Sequence, residues 1–79
     1  MIVTILPFAS AKTVLKYDKK QISLKDGTSV SGLMKELVSE NPPLSGMKFL
    51  FAVNTEYVDT SHILEDGDKL AIFPPVSGG

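Results

Sequence analysis

The chain reads as an α+β domain, a mixed sheet with one main helix packed across it. Three observations predict this. Val30, Leu33, Met34, Leu37 and Val38 fall at i, i+3, i+4, i+7 and i+8, the stripe of a single amphipathic helix. Short runs rich in β-branched and aromatic residues lie on both sides of that stripe. The length, 79 residues, suits one core rather than two. One helix and several short strands bury their apolar faces together when the helix lies across the sheet.

The elements follow in order. Met1 to Phe8 predicts a strand, and Pro7, which lacks a backbone donor, predicts either an edge position or the end of regular pairing. Ala9 to Leu15 predicts a short helical turn. Lys19 to Leu24 alternates, with Ile22 and Leu24 on one face, and predicts a second strand that ends at the Asp26-Gly27 turn. Ser29 suits the N-cap of the main helix, which must stop before Asn41-Pro42-Pro43. Gly46 is expected to open a strand over Lys48 to Val53, whose nearly continuous apolar run predicts cover on both faces. Asn54-Thr55 predicts a tight turn into Glu56-Tyr57-Val58, and Asp66-Gly67-Asp68 a turn before the last strand, Lys69 to Phe73. The chain thus divides into a domain over 1–73 and an extended tail over 74–79.

Composition removes several function classes. The chain has no cysteine, so disulfides, thiolate catalysis and cysteine-rich metal sites are excluded. A lone histidine, His62, makes neither a zinc site nor a catalytic triad, and no metal site is expected. Eight lysines, no arginine and a formal charge of -1 leave no basic stripe for nucleic acid. No run reaches the length of a membrane span, and the apolar start lacks the basic flank of a signal peptide. The expected setting is a reducing, cytoplasmic interior. A domain this small has little room for an enclosed substrate pocket, so a self-contained enzyme is not expected.

The end of the chain is the most specific feature. A strand reaches Phe73 and two prolines follow at once, so pairing cannot continue and the segment is expected to leave stiff and extended. Six residues, Pro74 to Gly79, reach at most about 20 Å at roughly 3.3 Å each. Gly78 and Gly79 are narrow enough to enter a slot in another protein, and the terminal carboxylate is expected to be the chemically used group. Phe8 and Phe73 each end a strand, where burial is often incomplete, so both a core and a surface role are open to them. Phe49 and Phe51 are expected in the core, His62 in a loop without a chemical role, and Glu65, Asp66 and Asp68 in a solvated turn.

These residues together resemble the ubiquitin-like β-grasp sulfur carriers, and more narrowly the small subunit of molybdopterin synthase, the MoaD family. The likeness rests on Phe8-Ala9, Ala52-Val53-Asn54, Leu64-Glu65-Asp66-Gly67-Asp68 and the ending Phe73-Pro74-Pro75-Val76-Ser77-Gly78-Gly79. The resemblance implies that the first and last strands are parallel neighbours at the centre of the sheet, and that an E1-like enzyme uses ATP to adenylate the Gly79 carboxylate, which then becomes a thiocarboxylate. It implies docking on a large subunit through Phe8, Tyr57 and Phe73, with Pro74, Pro75, Val76 and Ser77 threading into the partner beside Gly78. Sulfur then passes to a cyclic pyranopterin phosphate held by that partner, so this chain itself binds no cofactor. Two small subunits flank a dimer of large ones in the family assembly. A leucine common in relatives falls at Tyr57. A basic-acidic pair common after the first strand appears as Lys12-Thr13, without the acid. Competing readings are a sulfur carrier for thiazole or thiolated tRNA, a ubiquitin-like protein modifier joined through Gly79, and a plain interaction domain.

Overall fold

The computed structural model describes residues 1–75. The elements run β1 (Ile2–Pro7), α1 (Ser10–Leu15), β2 (Lys20–Ser23), α2 (Val30–Glu40), a 3-10 turn (Pro42–Gly46), β3 (Leu50–Val53), β4 (Glu56–Val58) and β5 (Lys69–Phe73). Among the described residues the strands form one sheet in the order β2-β1-β5-β3-β4. β1 and β5 pair in parallel at its centre, with Ile5 opposite Leu70, and the other neighbours are antiparallel. This is the ubiquitin-like β-grasp arrangement. No helix among the described residues is long and apolar enough to cross a membrane.

Alternation along the strands separates two faces. Val3 and Ile5 of β1, Leu70 and Ile72 of β5, and Phe51 and Val53 of β3 turn inward and are buried. They meet Val30, Leu33 and Leu37 of α2, and Leu44 of the 3-10 turn closes the far end of the core. Met34 and Val38, on the flank of the helical stripe, are partly buried against it. Phe49 packs on the same cluster, as expected.

Local chemistry sets the helix boundaries. The Gly32 amide donates to Ser29 Oγ at 3.1 Å, which makes Ser29 the N-cap. The Val30 and Ser31 amides donate to the carbonyls of His62 and Thr60, so the loop before β5 satisfies the remaining orphan donors of the first turn. His62 is a loop residue whose carbonyl serves the helix. At the other end Asn41 caps Leu37 O through its amide (2.8 Å) and its side chain (3.1 Å), and the two prolines that follow cannot continue α2.

Four expectations need correction. Pro7 lies in a central strand, so the edge alternative fails and the end of pairing holds. Thr4 donates to the carbonyl of Asp68, just before β5, and Phe8 to that of Ile72 on β5, which turns the nitrogen at position 7 to the other side. There β2 has already ended, its last pair being Lys20 with Ile5, and no donor is missed. Gly46 ends the 3-10 turn rather than opening a strand, and β3 begins at Leu50. β3 is not covered on both faces: Leu50 is 41% exposed and Ala52 is half-buried. Asp68 is not solvated but buried, and it organises its turn. Asn54 Nδ2 donates to Asp68 Oδ1 at 3.0 Å, the Glu65 amide donates to Oδ2 at 2.8 Å, and the Lys69 amide donates to Asn54 Oδ1 at 3.1 Å.

Candidate docking face

The face of the sheet turned away from α2 carries the candidate site. Strand register sets its rows. Leu50 lies opposite Phe73, and Ala52 lies between Ala71 on one side and Tyr57 on the other. Leu6 continues the second row, opposite Ala71. Phe8 is 51% exposed and Tyr57 77% exposed, while Phe73 is half-buried. Large apolar groups clustered this openly on one sheet face mark an interaction surface.

The aromatic members are held in place by specific contacts. The rings of Tyr57 and Phe73 meet edge to face, 5.8 Å between centroids at 63°. They sit on strands separated by β3, and the small side chain of Ala52 leaves room for them to reach each other. The Tyr57 hydroxyl, an oddity against the leucine implied by the resemblance, is at the surface where water serves it. Phe8 is fixed through its amide, which donates to Ile72 O at 2.9 Å. Its carbonyl accepts from Ala11, and Ala9 between them holds φ 50° and ψ -123°, a region that favours glycine. The turn stores some strain and directs the chain from β1 straight into α1.

Lys12 finds an acidic partner further along the chain. Asp18 pairs with Lys12, and the hydrogen bond and charge of that ammonium hold the Asp18 carboxyl below its ordinary range. Lys12 is therefore paired, although the sequence spacing showed no partner for it.

β5 ends at Phe73, inside this face, so the chain leaves the sheet from the apolar patch itself. Pro74 is half-buried and Pro75 exposed, and neither belongs to a strand. Val76, Ser77, Gly78 and Gly79, expected to thread the partner and carry the reactive group, lie outside the described residues. Phe8, Tyr57, Phe73, Pro74 and Pro75 all fall on or beside one surface. Sequence reasoning missed Leu50, Ala52, Leu6 and Ala71. The signal for the first two was present: positions 50 and 52 alternate with the buried 51 and 53.

Comparison with known proteins now bears on this geometry. The ThiS family profile matches residues 5–79. The molybdopterin synthase sulfur carrier subunit of Chlamydomonas reinhardtii is 37% identical over 83 aligned residues that cover all of both chains. A solved structure from Pyrococcus furiosus, described as a molybdopterin converting factor subunit 1, superposes with a TM-score of 0.86 at 27% identity, covering 95% of this chain and 98% of its own. A chain in the Helicobacter pylori complex of subunits 1 and 2 of molybdopterin-converting factor superposes with a TM-score of 0.68 at 25% identity over the full length of both. The chain belongs to the ThiS family and, within it, to the molybdopterin synthase sulfur carrier subunits.

Proposed function

We propose that this chain carries sulfur as a thiocarboxylate on Gly79 and delivers it, docked through the outer sheet face, to a pterin held by the large subunit of molybdopterin synthase. The observation that carries the reading is the point of departure of the tail. Phe73 is at once the last paired residue and a member of the apolar face. A partner that covers that face receives the segment beginning at Pro74 beside its own surface. Docking and delivery are then one act. The complex of the two subunits from Helicobacter pylori, to which this chain is similar over its full length, supports a large-subunit partner.

The chemistry follows from the acyl group. A carboxylate is a poor electrophile because its charge is delocalised. Attack of the Gly79 carboxylate on ATP, held by an E1-like enzyme, forms an acyl-adenylate and releases pyrophosphate. A sulfur nucleophile then displaces AMP and leaves a thiocarboxylate. Its sulfur attacks a carbon of the cyclic pyranopterin phosphate in the partner's site and displaces an oxygen leaving group; water then cleaves the resulting thioester, which leaves the sulfur on the pterin and returns the Gly79 carboxylate. Phe8, Tyr57 and Phe73 anchor the partner, and Pro74 and Pro75 lower the entropy lost when the tail is captured. With no cysteine in the chain, a persulfide on its own side chain is not available as carrier. The proposed setting is the reducing cytoplasm, with two small subunits on a large-subunit dimer.

The direct test is intact mass after incubation with the E1-like enzyme, ATP and a sulfur donor. Exchange of one oxygen for sulfur, localised to Gly79, is expected. An unchanged mass while a control carrier is converted by the same enzyme defeats the proposal.

A further inference from the structure

The outer sheet face has a second end. Beyond the apolar rows, Thr4 lies between Gln21 on β2 and Lys69 on β5. With Lys19, Lys20 and Leu6 these residues line a concavity of about 640 Å³. The Lys20 ammonium lies 5.7 Å from the Tyr17 ring centroid, so it is occupied elsewhere. Lys19 and Lys69 are exposed, and neither belongs to an ion pair among the described residues, which pair only Met1 with Asp26 and Lys12 with Asp18.

No carboxylate lines this concavity, although the chain has more acids than lysines. Asp18, next to Lys19 in sequence, is turned to Lys12. Asp68, next to Lys69, is buried and accepts from Asn54 and Glu65. Both neighbouring acids are thus used internally and neither neutralises its adjacent lysine. Glu36 and Glu40 lie on α2, on the opposite side of the sheet. The outer face is apolar at the Phe8–Tyr57 end and carries Lys19 and Lys69 at the other, with the exposed Asp66 outside the concavity, accepting from the Ile2 amide. Leu6 belongs to both ends, since it lines the concavity and pairs opposite Ala71.

We propose that the basic end of the outer sheet face, Lys19 and Lys69 around Thr4 and Leu6, receives an Asp- or Glu-bearing segment of the same large subunit that the apolar end engages. The proposal rests on the docking reading above and extends it with a partner chemistry. A surface that is apolar at one end and cationic at the other fixes the orientation of its partner, which a purely apolar patch does poorly. Exposed lysines at the rim of an interface act mainly on the rate of association and on its salt dependence. The tail, leaving from the apolar end, is then aimed by charges at the far end of the same face.

The test uses the full chain and the purified large subunit of the same organism, with association rates measured at low and high salt. Lys19→Glu/Lys69→Glu is compared with Lys35→Glu, an exposed lysine on α2 whose substitution changes charge away from this face. The double variant is expected to associate about tenfold more slowly at low salt, with most of the difference lost at high salt, and Lys35→Glu less than about twofold. Lys19→Gln/Lys69→Gln is expected to fall between wild type and the double reversal. Circular dichroism and melting checks that all variants fold. If wild type binds and the double reversal slows association no more than Lys35→Glu, the basic end has no acidic counterpart and this inference alone fails. If wild type itself does not bind the large subunit, the docking reading fails and the inference with it.

Discussion

An aromatic ring as exposed as that of Tyr57, at 77%, contributes little to the fold that carries it. Its one ring contact, edge to face with Phe73, is worth about 0.5–1.5 kcal/mol beyond area burial. In the proposed docking its value lies in what it offers a partner: a rigid, amphipathic group at low entropy cost, close to the chain exit. Tyr57→Ala is therefore expected to lower unfolding stability by no more than about 1.5 kcal/mol. Binding to the large subunit is expected to weaken by more than tenfold, or about 1.4 kcal/mol, as for a central aromatic anchor. Chemical denaturation and equilibrium binding on the same variant separate the two effects. Wild-type affinity in Tyr57→Ala would remove the ring from the docked surface. Phe73 differs in kind, being half-buried and paired through the backbone with Leu50, so its truncation mixes stability with docking.

At the scale of elements, the turn between Leu64 and Lys69 ties the sheet to its own hairpin. Asn54 and Thr55 both adopt positive φ, at 49° and 73°, as a two-residue hairpin turn requires. Thr55 is β-branched and suits that region poorly, so the Asn54–Asp68 clamp helps hold a strained turn. Gly67 at φ 86° lets the following turn close and donates to Ile2 O at 2.8 Å. Two of the internal motifs behind the resemblance, Ala52-Val53-Asn54 and Leu64 to Asp68, are thus two halves of one structural clamp. Asp68→Ala strands the Asn54 amide and the Glu65 amide, and the expected loss is about 1–3 kcal/mol per unsatisfied group that stays dry. For a domain of this size each kcal/mol lowers Tm by about 4–8 °C. Asp66→Ala removes one exposed acceptor of the Ile2 amide and is expected to cost less. Equal melting temperatures for the two variants would show that Asp68 is not the organiser of the turn.

The same elements show what the sequence could and could not disclose. The limits of α2 were legible because Ser29 and Asn41-Pro42-Pro43 act through local backbone chemistry. The parallel pairing of β1 with β5 came from the resemblance; one helix needing a sheet to lie on predicts the layer, not the strand order. β3 misled because an unbroken apolar run fits two arrangements, burial on both faces or burial on one face with an exposed apolar face on the other. Composition does not distinguish them, and only the register that puts Leu50 beside Phe73 and Ala52 beside Tyr57 decides. The acid for Lys12 was hidden for a related reason. Asp18 lies beyond the end of α1, where the left-handed Lys16 at φ 65° turns the chain back, and no helical spacing reveals that contact.

At the scale of the whole molecule, the proposed function gives body and tail separable tasks. The buried cluster runs from Val3 to Ile72, and the backbone pairing of β5 ends at Phe73. Stability is therefore expected to reside upstream of Pro74, and sulfur chemistry downstream. A chain truncated after Pro75 tests that division. Its Tm is expected to stay within about 2 °C of wild type, a few tenths of a kcal/mol for a domain of this size. It retains Phe8, Leu50, Tyr57 and Phe73 and is expected to bind the large subunit, but to deliver no sulfur. Added in excess to an active mixture of thiocarboxylated wild type and large subunit, it is expected to inhibit by occupying the docking face. Loss of more than about 1 kcal/mol on truncation would place part of the fold's stability in the last four residues. Failure to inhibit, with the fold intact, would show that the sheet face docks only when the tail is present, and that the tail supplies binding energy as well as the reactive group.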